Sequence, residues 1–137
     1  MRIKINPTEP IIFFVRVKGP KGIREFRAVF DTGSAYSLIP VHDARALGYD
    51  AYFDPISNIG TGTGVITKSD IMEADGIVLE EVTVGDVKAR NVKAIAYNLP
   101  RLGGIEAVLG ISFMCNFRSC IDFAENYLTI EPISQNP

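Results

Sequence analysis

The sequence predicts an all-β domain carrying one or two short helices. Three observations predict it. Short β-branched and aromatic runs recur about every ten residues, glycine, proline and asparagine punctuate them, and several neighbouring runs are joined by tight-turn signals. With 137 residues, 47% hydrophobic and 22% charged, the chain can bury one core without disulfide or metal support, so residues 1–137 read as a single domain.

In chain order, Ile11 to Lys18 and Ile23 to Phe30 flank Gly19-Pro20-Lys21-Gly22, which supplies the backbone angles of a hairpin reversal. The second run delivers the chain into Asp31-Thr32-Gly33-Ser34, and the apolar stretch Tyr36 to Ile39 follows, so the tetrapeptide sits in a loop between strands. Pro40 suits the first turn of a short helix, Val41 to Leu47, closed by Gly48. Ala51 to Ala74 is less apolar and holds Gly60-Thr61-Gly62-Thr63-Gly64, the pattern of a long hairpin with a supple tip. Ile77 to Val84 and Val87 to Ala96 form a strand pair around Gly85-Asp86, with Val82, Val84, Val87 and Val92 facing inward. After a loop from Asn98 to Gly104, Ala107-Val108-Leu109-Gly110 reads as a short buried strand. Ser112 is placed to cap a helix reaching about Phe117, and closing strands fall near Cys120 to Phe123 and Tyr127 to Ile130.

A net charge of −2, with lysines and arginines interleaved among acids, argues against a nucleic-acid partner or an anionic membrane surface. No apolar run approaches the ~20 residues that span a bilayer, and Ile11 to Val15 is too short for a signal peptide, so a cytoplasmic address is expected by default. Cys115 and Cys120 lack partners at zinc-ligand spacing and read as reduced and buried. The single histidine, His42, excludes a His-rich metal site; it is expected on the surface of its helix, with no catalytic task.

An aspartate leaving a strand into threonine, glycine and serine has a physical logic. The glycine permits close approach of another backbone, and neighbouring donors can fix the carboxylate. Taken alone, the tetrapeptide also suits a plain Asx turn. Its flanks are more specific: Ala28-Val29-Phe30-Asp31-Thr32-Gly33-Ser34-Ala35-Tyr36-Ser37-Leu38-Ile39-Pro40 resembles the active-site segment of retropepsin-like aspartic proteases. Val108-Leu109-Gly110 with Ile111-Ser112-Phe113 resembles the second signature segment of prokaryotic members, and the glycine-rich hairpin between them matches the family's flap.

That resemblance implies a closed β-barrel, half of an acid protease, working as a homodimer without metal or organic cofactor. Of the eight aspartates only Asp31 has the motif; Asp43, Asp50, Asp54, Asp70, Asp75, Asp86 and Asp122 read as solvated or turn-forming acids. Two copies must then meet, so that two Asp31 carboxyls share one proton and activate one water. Carried over from the family, Thr32 bonds across the dimer axis, Ser34 supports the outer carboxylate oxygen and Gly33 supplies the close approach. The flap, about residues 54–70, would grip an extended peptide through Ile59, Gly60, Thr61, Gly62, Thr63 and Gly64, with Val108, Leu109 and Gly110 as walls. Segments 2–6 and 128–133 are candidates for a sheet tying the dimer together. Viral members follow the second glycine with Arg and Asn or Asp; Ile111 and Ser112 stand here, so their ion-pair support is not expected. The alternative is a catalytically silent peptide-binding or dimerisation module of the same fold. A phosphate-cradling role for residues 60–64 fails on glycine spacing and on the lack of a following Gly-Lys-Ser/Thr.

Overall fold

The computed structural model describes residues 1–50, 76–97 and 104–133. Nine strands and two short helices occupy them: β1 (Arg2–Lys4), β2 (Ile12–Gly19), β3 (Gly22–Phe30), β4 (Ser37–Pro40), α1 (Val41–Ala46), β5 (Gly76–Val84), β6 (Val87–Tyr97), β7 (Ala107–Leu109), α2 (Ile111–Met114), β8 (Phe117–Asp122) and β9 (Tyr127–Pro132). Six of them close into a barrel in the order β2-β3-β7-β4-β6-β5, and β1-β9-β8 form a separate three-stranded sheet. The glycine-rich hairpin proposed at the sequence level, with its flap residues 59–64, lies outside the described residues.

Alternation builds the barrel wall. In β2 the side chains of Phe13, Val15 and Val17 turn inward while Phe14, Arg16 and Lys18 face out, and across the hairpin Phe26, Ala28 and Phe30 fill the same interior. Phe13 and Phe30 meet as tilted rings with centroids 5.8 Å apart. The inward valines expected on β5 and β6, at 82, 84, 87 and 92, are all buried. The strict period breaks once in this pair: Leu79 and Val82 are both buried on β5, as are Ala89 and Val92 on β6, and Asn91 takes φ 55°. Such a local kink shifts the phase by one residue and keeps both halves of each strand facing the core. Beyond it Ala94, Ile95, Ala96 and Tyr97 are buried in succession, because both helices pack against this end of β6.

Pro40, extended at ψ 137°, ends β4 and caps α1, and Gly48 reverses the chain at φ 96°, as a left-handed residue past a helix should. His42 lies exposed on this helix, while Asp43 is buried and pairs with Arg24 at 2.9 Å. That corrects the reading of Asp43 as a solvated acid: its carboxylate fastens β3 to α1, and burial is tolerable only with the guanidinium beside it.

Two further expectations are corrected. α2 ends at Met114, and Phe117 opens β8 instead of closing the helix; Gly110 is the N-cap and Ser112 makes no side-chain cap bond. Cys115 and Cys120 are reduced, yet both are exposed. The phase of β8 explains Cys120. Ser119 and Ile121 stand opposite the fully buried Ile130 and Leu128, so even-numbered residues of β8 point outward whatever their affinity for a core.

Candidate active site

Strand β7 enters the barrel between β3 and β4, parallel to the first and paired antiparallel with the second through Leu38 and Val108. That insertion brings the loop 31–36, which joins β3 to β4, against the segment 109–112, which leaves β7. The two are stitched by backbone. Asp31 N–H donates to the Leu109 carbonyl at 2.9 Å, Ile111 N–H to Ser34 at 2.8 Å and Ser112 N–H to Ala35 at 2.9 Å.

Gly110 makes this approach possible, because a β-carbon there would collide with the carbonyl oxygens of Ser34 and Tyr36. Its N–H donates to the Ser37 hydroxyl at 3.1 Å. Ser37 is fully buried; its own N–H donates to the Ser112 hydroxyl at 3.0 Å, and the two hydroxyl oxygens lie 2.9 Å apart with one proton between them. A neutral serine pair thus lies beside the second glycine. Sequence reasoning missed it, although one signal was present: Ser37 is the polar exception on an otherwise apolar strand.

On this frame Asp31 is exposed, and its Oδ1 accepts the Gly33 N–H at 2.8 Å. The loop closes on itself through the Ser34 N–H and the Asp31 carbonyl at 3.3 Å. One carboxylate oxygen is therefore held by its own turn, and the group is presented at the surface by a loop that can shift little. Thr32 is exposed next to it. The Ser34 hydroxyl donates to the Tyr36 carbonyl at 2.6 Å, which corrects the expected donation to the carboxylate: a single hydroxyl proton is spent tightening the loop.

The wall residues separate by depth. Val108 is half-buried beside its strand partner Val29, whereas Leu109 belongs to the core and Gly110 is buried beneath the loop. Among the described residues no group of histidine, cysteine or acidic side chains could hold a metal ion, and no helix is long and apolar enough to cross a membrane.

A family model described as aspartyl protease matches residues 15–113, spanning both signature segments. Among solved structures the chain is similar to a retropepsin-like aspartic protease from Rickettsia conorii, at TM-score 0.61 and 21% identity, over 95% of this chain and 88% of that one. The retroviral protease-like domain of Ddi1 from Leishmania major also matches, at TM-score 0.47 and 15% identity, over 93% of this chain and 98% of that one. No curated protein matches the sequence.

Proposed function

Since the chain belongs to the aspartyl protease family and has the retropepsin-like fold, we propose that it is an endopeptidase whose active site forms when two copies bring their Asp31 carboxyls together. The observation that carries this reading is the presentation of Asp31: an exposed carboxylate, pinned by the Gly33 N–H, on a loop locked to the segment after β7. One carboxyl cannot serve as general base and general acid in the same step, and Asp43, Asp86 and Asp122 are engaged with Arg24, the N-terminal amine and the Ala124 and Glu125 N–H groups.

Two like charges in contact cannot both ionise, so the pair holds one proton. The ionised carboxylate takes a proton from a water lying between the two, and the water oxygen bonds to the scissile carbonyl carbon. The protonated partner hydrogen-bonds the carbonyl oxygen as a gem-diol forms. Proton transfer to the amide nitrogen then breaks the C–N bond, releasing an acid and an amine with no covalent enzyme intermediate. Thr32 and Gly33 serve the close approach of the two loops. An extended peptide would lie across the pair, with Val108 as one wall.

The test is hydrolysis of a denatured protein or mixed peptide library across about pH 3 to 8, comparing the natural chain with Asp31→Asn. Cleavage should fall by about three orders of magnitude or more in the variant while folding is kept, as expected on losing an essential acid–base group. Equal cleavage by both proteins would remove Asp31 from the mechanism, and peptide binding without turnover by the natural chain would leave the silent module as the correct reading.

A further inference from the structure

The barrel is closed, so among the described residues the strands with one whole side unpaired are the outer ones of the second sheet: β1 on one side and β8 on the other. The two terminal strands cover one another within the chain, with Arg2, Ile3 and Lys4 of β1 opposite Thr129, Leu128 and Tyr127 of β9. That leaves the six-residue edge of β8, from Phe117 to Asp122, without proline or bulge to blunt it.

We infer that two copies of the chain join by pairing β8 with β8 antiparallel, Cys120 facing its own symmetry mate and Arg118 facing the partner's Asp122. This names how the second copy attaches, and so rests on the two-copy reading of the site.

The register follows from charge. Outward-facing residues of β8 are Arg118, Cys120 and Asp122, and a two-fold axis must pair this face with itself. Centring the axis on Cys120 sets Arg118 opposite Asp122 twice. A shift of two residues places a charge opposite the cysteine, and a shift of four places like charges opposite each other. Asp122 Oδ1 already accepts the N–H groups of Ala124 and Glu125, at 2.9 and 3.0 Å, which fixes the carboxylate and leaves its second oxygen for a guanidinium. Arg118 makes no ion pair among the described residues, although Glu131 is its cross-strand neighbour on the same face. The opposite edge is poor for self-pairing, because β1 would set Arg2 and Lys4 against their own copies.

Exposed apolar side chains point to the same place. Ile111, Ile121, Phe123 and Ile133 are four of the seven large hydrophobics left exposed among the described residues, and all lie on this C-terminal unit. In the proposed register Phe123, 63% exposed, is laid against the partner's Phe117. The unit is also joined directly to the site: α2 follows its N-cap Gly110 and leads into β8, so fixing β8 at a two-fold axis fixes the segment that holds the Asp31 loop.

Two measurements test the register. Arg118→Asp and Asp122→Arg, each alone, should weaken the dimer by about tenfold or more in sedimentation velocity, since each sets like charges opposite at two symmetric positions, and the double variant should recover it. Directly opposite strand residues lie about 4.5–5.5 Å apart at Cα, within the roughly 4.4–6.8 Å that a disulfide spans. Diamide, which takes up the two protons and two electrons released by two thiols, should therefore link Cys115→Ser chains into a covalent dimer and leave Cys120→Ser chains single. A dimer that cleaves peptide but shows neither the charge-swap recovery nor the Cys120 link overturns the interface and leaves the Asp31 reading standing. Cleavage by a chain that is monomeric at every concentration overturns that reading itself.

Discussion

Ser37 orders the candidate site from within the core. Its buried hydroxyl accepts from the Gly110 N–H and shares a proton with Ser112, so Ser37→Ala leaves a buried amide without an acceptor and should destabilise the fold by about 1–3 kcal/mol. Ser112→Ala removes part of the same network, and the double variant should therefore lose less than the sum of the two singles. Urea titrations of the three variants measure both effects. Strict additivity would mean that the two hydroxyls act separately. At this scale the sequence was legible where a contiguous motif sets the backbone, at the Asp31–Gly33 turn and the close approach at Gly110. It was opaque where a partner lies far along the chain, as for Ser37 with Ser112 or Asp43 with Arg24, and where the acceptor is a backbone carbonyl that no side-chain pattern announces, as for the Ser34 hydroxyl two residues before Tyr36.

Strands β2, β5 and the loop after α1 meet at Tyr49. Its hydroxyl accepts the Glu80 N–H at 2.8 Å, next to the point where the β5–β6 alternation slips, and donates to the Lys18 carbonyl at 3.4 Å. Burial raises the ionisation of this phenol above its ordinary value of 10.0, with the Glu80 charge adding to the rise and the Glu80 N–H opposing it. A group whose folded value is raised stabilises the fold fully below the unfolded value, and that contribution is lost as pH climbs through the folded value. Tyr49→Phe should cost about 1 kcal/mol at neutral pH and flatten the loss of stability above about pH 10. Urea midpoints on either side of that pH check it, and an unchanged alkaline slope would show that Tyr49 does not carry the effect. The elements themselves were legible from the sequence because alternation and turn chemistry agree along β2, β3, β5 and β6. The phase slip and the early end of α2 were not, since packing against neighbouring elements decides both.

For the whole molecule, the division into a closed barrel and a separate sheet of chain ends sets what a single chain can do. A barrel with one such loop presents one Asp31, and in the proposed endopeptidase a second copy supplies the other. The stoichiometry of that arrangement is measurable without knowing the substrate. When natural chains are mixed with Asp31→Asn chains and allowed to exchange, every mixed dimer holds one ionisable carboxyl and is silent. Activity per natural chain should then fall to about the natural chain's share of the mixture, roughly half in an equimolar one. An enzyme complete in one chain would keep all of it. The control is to mix after locking the dimers through Cys120, where exchange is blocked and activity should stay at its unmixed value. Dilution makes the same point independently: below the dissociation constant the rate should vary with the square of protein concentration, and a linear dependence down to the detection limit would show that one copy suffices.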